Sequence, residues 1–95
     1  MPISRAAIAT ESGERLINRL CKHWSHKLEV EYTERDAKIV FPEQNSTCLM
    51  HAEASKLAVS VEAPSDETLK QLEGVVQSHL ERMAKDETLE IVWQN

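Results

Sequence analysis

Only two glycines, three prolines, two cysteines and four aromatic residues occur in the 95-residue chain. So few glycines leave no phosphate-cradling loop, and there is no Gly-x-Ser-x-Gly nucleophile turn. Two cysteines, Cys21 and Cys48, cannot supply the disulfide framework of a small secreted fold, so both are expected as reduced thiols. No apolar run approaches the roughly 18–20 residues of a membrane helix, and Met1-Pro2-Ile3-Ser4-Arg5 opens no signal-peptide core. The expectation is a cytoplasmic protein with no membrane partner. Cationic excess is missing as well. Eleven Lys and Arg face sixteen Asp and Glu, a net charge of −5, and so weak a positive field argues against nucleic acid as a partner.

What is present describes one globular domain over residues 1–95. A chain of this length buries roughly 60–70% of its unfolded surface, enough for one core. Ile3 to Ala9 predicts a first strand. A helix follows from Ser12 to Trp24, with Leu16, Ile17, Leu20, Cys21 and Trp24 in one apolar stripe. Leu28, Val30 and Tyr32 alternate with Glu29, Glu31 and Thr33, and Ala37 to Phe41 returns after a polar turn. Thr47 to Glu53 and Lys56 to Ala63 make a second hairpin. Pro64, Ser65, Asp66 and Glu67 then start a second helix, whose stripe runs through Leu69, Leu72, Val75, Val76, Leu80 and Met83. Gly74 interrupts it. Leu89, Ile91 and Trp93 alternate in a final strand.

The predicted order is β-α-β-β-β-β-α-β, an α+β two-layer sandwich with two helices on one face of a mainly antiparallel sheet. Each helix has a single apolar stripe, so both must cover the same side. The element order is similar to that of TBP-like folds.

The chemistry concentrates in Cys21-Lys22-His23-Trp24-Ser25-His26-Lys27. Cys and His are common ligands of borderline metals. On one continuous helix, however, Cys21 and His26 point roughly 140° apart at about 100° per residue. One ion cannot take Cys21, His23 and His26 together unless the helix ends near His23. On the second helix His79 shares the side of Leu72, Val76, Leu80 and Met83. It is expected to approach His23 and Trp24 across the helix–helix seam. These four residues, Cys21, His23, His26 and His79, are the candidate metal or ligand set. No cofactor can be named, and no catalytic residue is assigned. The carboxylates Glu29, Glu31, Glu53 and Glu62 fall on solvent faces of strands, where acid–base catalysis lacks the desolvation it needs.

The uncovered sheet face is the rival surface. With the Cys48-Met50-Ala52 side as core, His51 is outward, and Val40 and Leu49 join it in a half-apolar face suited to homodimerisation or protein docking.

Ser4-Arg5-Ala6, Leu20-Cys21-Lys22-His23-Trp24-Ser25-His26-Lys27, His79-Leu80-Glu81-Arg82-Met83-Ala84 and Val92-Trp93-Gln94 together resemble bacterial domain-of-unknown-function family twenty-two eighteen. The resemblance spans essentially the whole chain, and the Cys-Lys-His-Trp-x-His-Lys block is its most specific part. At Met83 the chain departs from the aromatic residue the family implies. The resemblance implies an iron-related accessory role beside a siderophore-reductase-type flavoprotein, with Cys21, His23, His26 and His79 as the residues to suspect. The resulting expectation is a non-enzymatic ligand- or metal-linked accessory domain. The alternative is a homodimerising or docking module built on Val40, Leu49 and His51.

Overall fold

The computed structural model describes residues 2–85 and 87–94. Its elements are β1 (Ile3–Ala9), α1 (Gly13–Trp24), β2 (Glu29–Tyr32), β3 (Asp36–Phe41), β4 (Ser46–Ala52), β5 (Lys56–Glu62) and α2 (Asp66–Ala84). All five strands pair antiparallel, in the spatial order β1-β5-β4-β3-β2. Three consecutive hairpins lay down β2 to β5. The chain reaches β2 from β1 through α1, which crosses the sheet from one edge to the other. The fold is the α+β sandwich that the patterning predicts.

Period-two alternation decides the two sheet faces. Register aligns Ile39, Cys48, Val61 and Ser4 across the sheet, and Ala37, Met50, Val59 and Ala6 in the next row. These residues are all buried against the helices. In α1 the buried positions are Gly13 and the expected stripe of Leu16, Ile17, Leu20, Cys21 and Trp24. In α2 they are Leu69, Leu72, Val76, Leu80 and Ala84, while Val75 and Met83 are half-buried. α1 lies over β2, β3 and β4, and α2 lies over β1 and β5.

Two details differ from the pattern. Tyr32 sits in the core-side alternation of β2 yet is 40% exposed, because β2 is a four-residue edge strand at the margin of the helix layer. The final strand expected over Leu89 to Trp93 does not form: among the described residues this segment joins the sheet through one antiparallel bridge, Arg5 with Gln94. Both bond partners are satisfied there, Arg5 N–H to Gln94 O at 2.9 Å and Gln94 N–H to Arg5 O at 2.8 Å. Leu89 is buried in the core, and Trp93 donates its indole N–H to Gln77 Oε1 at 3.1 Å. Side-chain packing against the helix layer, more than a ladder, holds the segment at the free edge of β1.

Polar groups tie the layers together. Ser65 caps α2, its hydroxyl accepting from the Thr68 N–H at 3.2 Å. Buried Ser4 donates to Glu73 Oε2. Thr10 donates to the Glu87 carboxylate at 2.9 Å and accepts from the Ser12 N–H at 3.0 Å.

The two glycines have opposite roles. A Cβ on Gly13 would lie 2.9 Å from the Cβ of Ala52, so the first turn of α1 can rest on the β4–β5 hairpin only without a side chain. A Cβ on Gly74 meets nothing within 4 Å. Gly74→Ala is therefore expected to raise stability by about 1 kcal/mol through helix propensity. Gly13→Ala is expected to lower it by about 1–3 kcal/mol through overpacking. Urea unfolding of both variants checks the pair, and a stabilising Gly13→Ala would contradict the close approach.

Candidate functional site

Two places concentrate functional side chains. The first is the seam where the C-terminal turn of α1 meets α2. α1 ends at Trp24 and the chain turns at once, with Lys27 N–H and Leu28 N–H both bonded to Trp24 O. Trp24 is buried and packs edge-on against Phe41, ring centroids 5.3 Å apart. The His79 ring lies 4.9 Å from Trp24 and 5.6 Å from His23. Helical spacing thus brings His79 to the end of α1, as its position on the α2 stripe predicts.

The four suspected residues nevertheless do not form one set. Cys21 is fully buried, and burial pushes its thiol up from an ordinary 9.0 to about 11. Cys48 is also fully buried, and burial raises it further, with Cys21 adding to the effect. Neither supplies a thiolate near neutral pH, and both are free. His26 lies in the exposed turn after α1 and makes no hydrogen bond, ion pair or ring contact with the described residues. His79 donates its Nδ1–H to Val75 O at 2.7 Å, a bond that does not engage Nε2. Among the described residues no group of three His, Cys, Asp or Glu is placed to hold a metal ion. The physical reason is that the stripe of α1 carries Cys21 into the core, whereas α1 ends at Trp24 and leaves His26 in the exposed turn beyond it.

The second place is the uncovered face of the sheet, which carries a trough of about 770 Å³. Its main row crosses five strand positions and the bridge: Glu31, Lys38, Leu49, Ser60, Arg5 and Gln94. The adjacent row is Asp36, His51, Ala58 and Ala7. Ala7, Ala58 and Ser60 make a low floor, and the longer side chains around them make the walls. Leu49, at the centre of the face, is 50% exposed. His51 donates its Nδ1–H to Asp36 Oδ1 at 2.8 Å. Val40, expected on the same surface, is half-buried and lies outside the trough lining. Arg5 and Lys38 make no side-chain hydrogen bond or ion pair with the described residues.

A family model described as an uncharacterized protein conserved in bacteria (DUF2218) matches residues 5–94. The chain belongs to DUF2218. This DUF2218 chain is similar to the NMR structure of a Pseudomonas aeruginosa protein. The two are 41% identical over 99% of this chain and 96% of that one, with a TM-score of 0.82. No curated protein matches the chain.

Residue patterning in this DUF2218 chain singles out Leu49 and His51 on this face, where the structure also places Arg5, Lys38, Ser60 and Gln94. Their signal was the run of small residues at outward strand positions, Ala7, Ala58 and Ser60, which only register places side by side. Among the described residues no helix is long and apolar enough to cross a membrane.

Proposed function

We propose that this DUF2218 chain is a non-enzymatic accessory domain that binds a ligand in the trough of its uncovered sheet face. The carrying observation is a concavity of about 770 Å³, within the roughly 300–1,000 Å³ range of small-molecule sites, with a few polar groups converging on an apolar floor. The metal-linked form of this reading narrows to His23 and His79. Cys21 is sealed in the core and His26 makes no contact with the other rings, and two imidazoles alone make a weak site. The iron context implied by the resemblance stands here only as a setting for such a ligand.

A second reading uses the same face for a second copy. Glu31 and Arg5 occupy opposite ends of the strand positions of a row centred on Leu49. A two-fold axis along β4 sets each Arg5 over a second copy's Glu31 and Leu49 over Leu49, a self-complementary arrangement.

Amide chemical-shift mapping with a library of small fragments and with Zn²⁺ tests the first reading. Perturbations should cluster on Ala7, Leu49, Ala58 and Ser60. Shifts confined to His23 and His79 on addition of Zn²⁺ would move the function to the helix seam. Mass in solution tests the second reading. A concentration-dependent dimer lost in Leu49→Lys supports it, and a monomer at millimolar concentration removes it.

A further inference from the structure

We infer that the trough takes an amphipathic organic anion, with its carboxylate held at the Arg5 end and its apolar body lying toward Leu49. This rests on the ligand-binding reading above and names the class of ligand.

The trough is polarised along its main row. At one end three donors stand side by side on the same face: the Arg5 guanidinium, the Ser60 hydroxyl opposite it across the β1–β5 ladder, and the Gln94 amide opposite it across the bridge. None of the three side chains is engaged with another described residue. The two backbone bonds to Gln94 hold Arg5 at the sheet edge. A guanidinium offers a planar fork that matches a carboxylate in bidentate geometry, and flanking neutral donors can serve the remaining lone pairs.

The floor beyond these donors is apolar. Ala7 and Ala58 pair directly on the outward face, and Leu49 lies beyond Ser60. At the far end neither Lys38 nor Glu31 makes an ion pair among the described residues, although the two face each other across the β2–β3 ladder. From Arg5 to Lys38 is three strand spacings, about 14 Å. That is room for a two-ring or short aliphatic body with its head at Arg5.

The sign of the ligand's charge follows from the donor end. Asp36 accepts from His51 and keeps its own charge, so Arg5 and Lys38 share the lining with Glu31 and Asp36. An anion is selected locally, where Arg5 stands across both pairings from neutral donors, Ser60 and Gln94. A cation would meet Arg5 at the donor end, and a neutral apolar molecule would make no use of the three donors, which stay with water.

The test is a set of three probes with one apolar body, 2-naphthoate, 2-naphthalenemethanol and 2-naphthylmethylammonium, titrated into ¹⁵N-labelled protein. The naphthoate should bind about tenfold tighter than the alcohol, with amide shifts on Ala7, Leu49 and Ala58. Arg5→Gln should weaken the naphthoate about tenfold and leave the alcohol unchanged, and Arg5→Lys should recover part of the loss. Ala58→Phe, which fills the floor, should exclude all three. Equal binding of the three probes in the trough, or indifference to Arg5→Gln, overturns the anion class and leaves the ligand site standing. No perturbation of the trough by any probe, or a dimer that closes the face to all three, overturns both.

Discussion

Trp24→Ala should cost about 3–5 kcal/mol of folding stability, the range for truncating a buried large aromatic side chain. Trp24 is only 4% exposed and touches three parts of the molecule at once. It belongs to α1, meets Phe41 of β3 edge-on at 5.3 Å and meets His79 of α2 at 4.9 Å. Alanine leaves a cavity at a corner where both helices and the sheet converge, and close-packed surroundings relax into such a cavity only in part. For a domain of this size the loss corresponds to a fall in Tm on the order of 10–30 °C. Guanidinium unfolding monitored by circular dichroism measures it. A loss below about 1 kcal/mol would mean that the indole does not fill this junction. A double-mutant cycle with His79→Ala then separates the ring–ring contact from simple burial.

The two thiols should be almost inert in the folded protein. The thiolate is the nucleophile, and Cys21, raised from 9.0 to about 11, presents about one hundredth of its ordinary thiolate at pH 8. Burial removes access as well, and Cys48 is shifted in the same direction for the same cause. Reaction with a chromogenic disulfide reagent should therefore run at least about 100-fold slower than in denaturant, with both thiols reacting together on unfolding. The linkage has a definite sign. A thiol whose folded value is raised contributes its stability in full below the unfolded value, and the contribution declines as pH rises from 9 toward 11. A Cys21→Ala variant should lose stability less steeply than the parent over that window. Fast labelling of a single thiol in the native state would show that Cys21 or Cys48 is open to solvent, and it would restore a thiolate to the seam.

These two expectations bear on where function can reside. A tight, inert corner at Trp24 and Cys21 is a structural feature, with the half-buried His79 and the exposed His23 packed on its rim. The chemistry-rich block from Cys21 to Lys27 thus divides at the end of α1: Cys21 and Trp24 build the core, and the turn that carries His26 and Lys27 is wet. The wider opportunity lies on the opposite side of the sheet, in residues with little chemical advertisement of their own.

Much of the fold was legible in the residue pattern. Alternation in Ile3–Ala9 and Lys56–Glu62, the Leu16-Ile17-Leu20-Cys21-Trp24 stripe, and the Pro64–Glu67 helix start each carry a local physical signal that the structure repeats. The bridging role of the last segment was harder to read. Leu89 and Trp93 alternate as strand residues do, but their partners are helix and core atoms far away in sequence, and only Gln94 reaches the ladder. His79 was legible in part. Its phase on α2 marked it as facing the seam, whereas its bond to Val75 O is a matter of rotamer.

Local spacing by itself determined the elements, the buried stripe of each helix and the outward facing of Leu49 and His51, because these depend on backbone periodicity within a few residues. Tertiary structure alone decided that Arg5, Ser60 and Gln94 stand in one row and that His79 meets Trp24 and His23 at ring-contact distance. Cross-strand register and the end of α1 are settled by long-range packing, and no window of neighbouring residues contains that information.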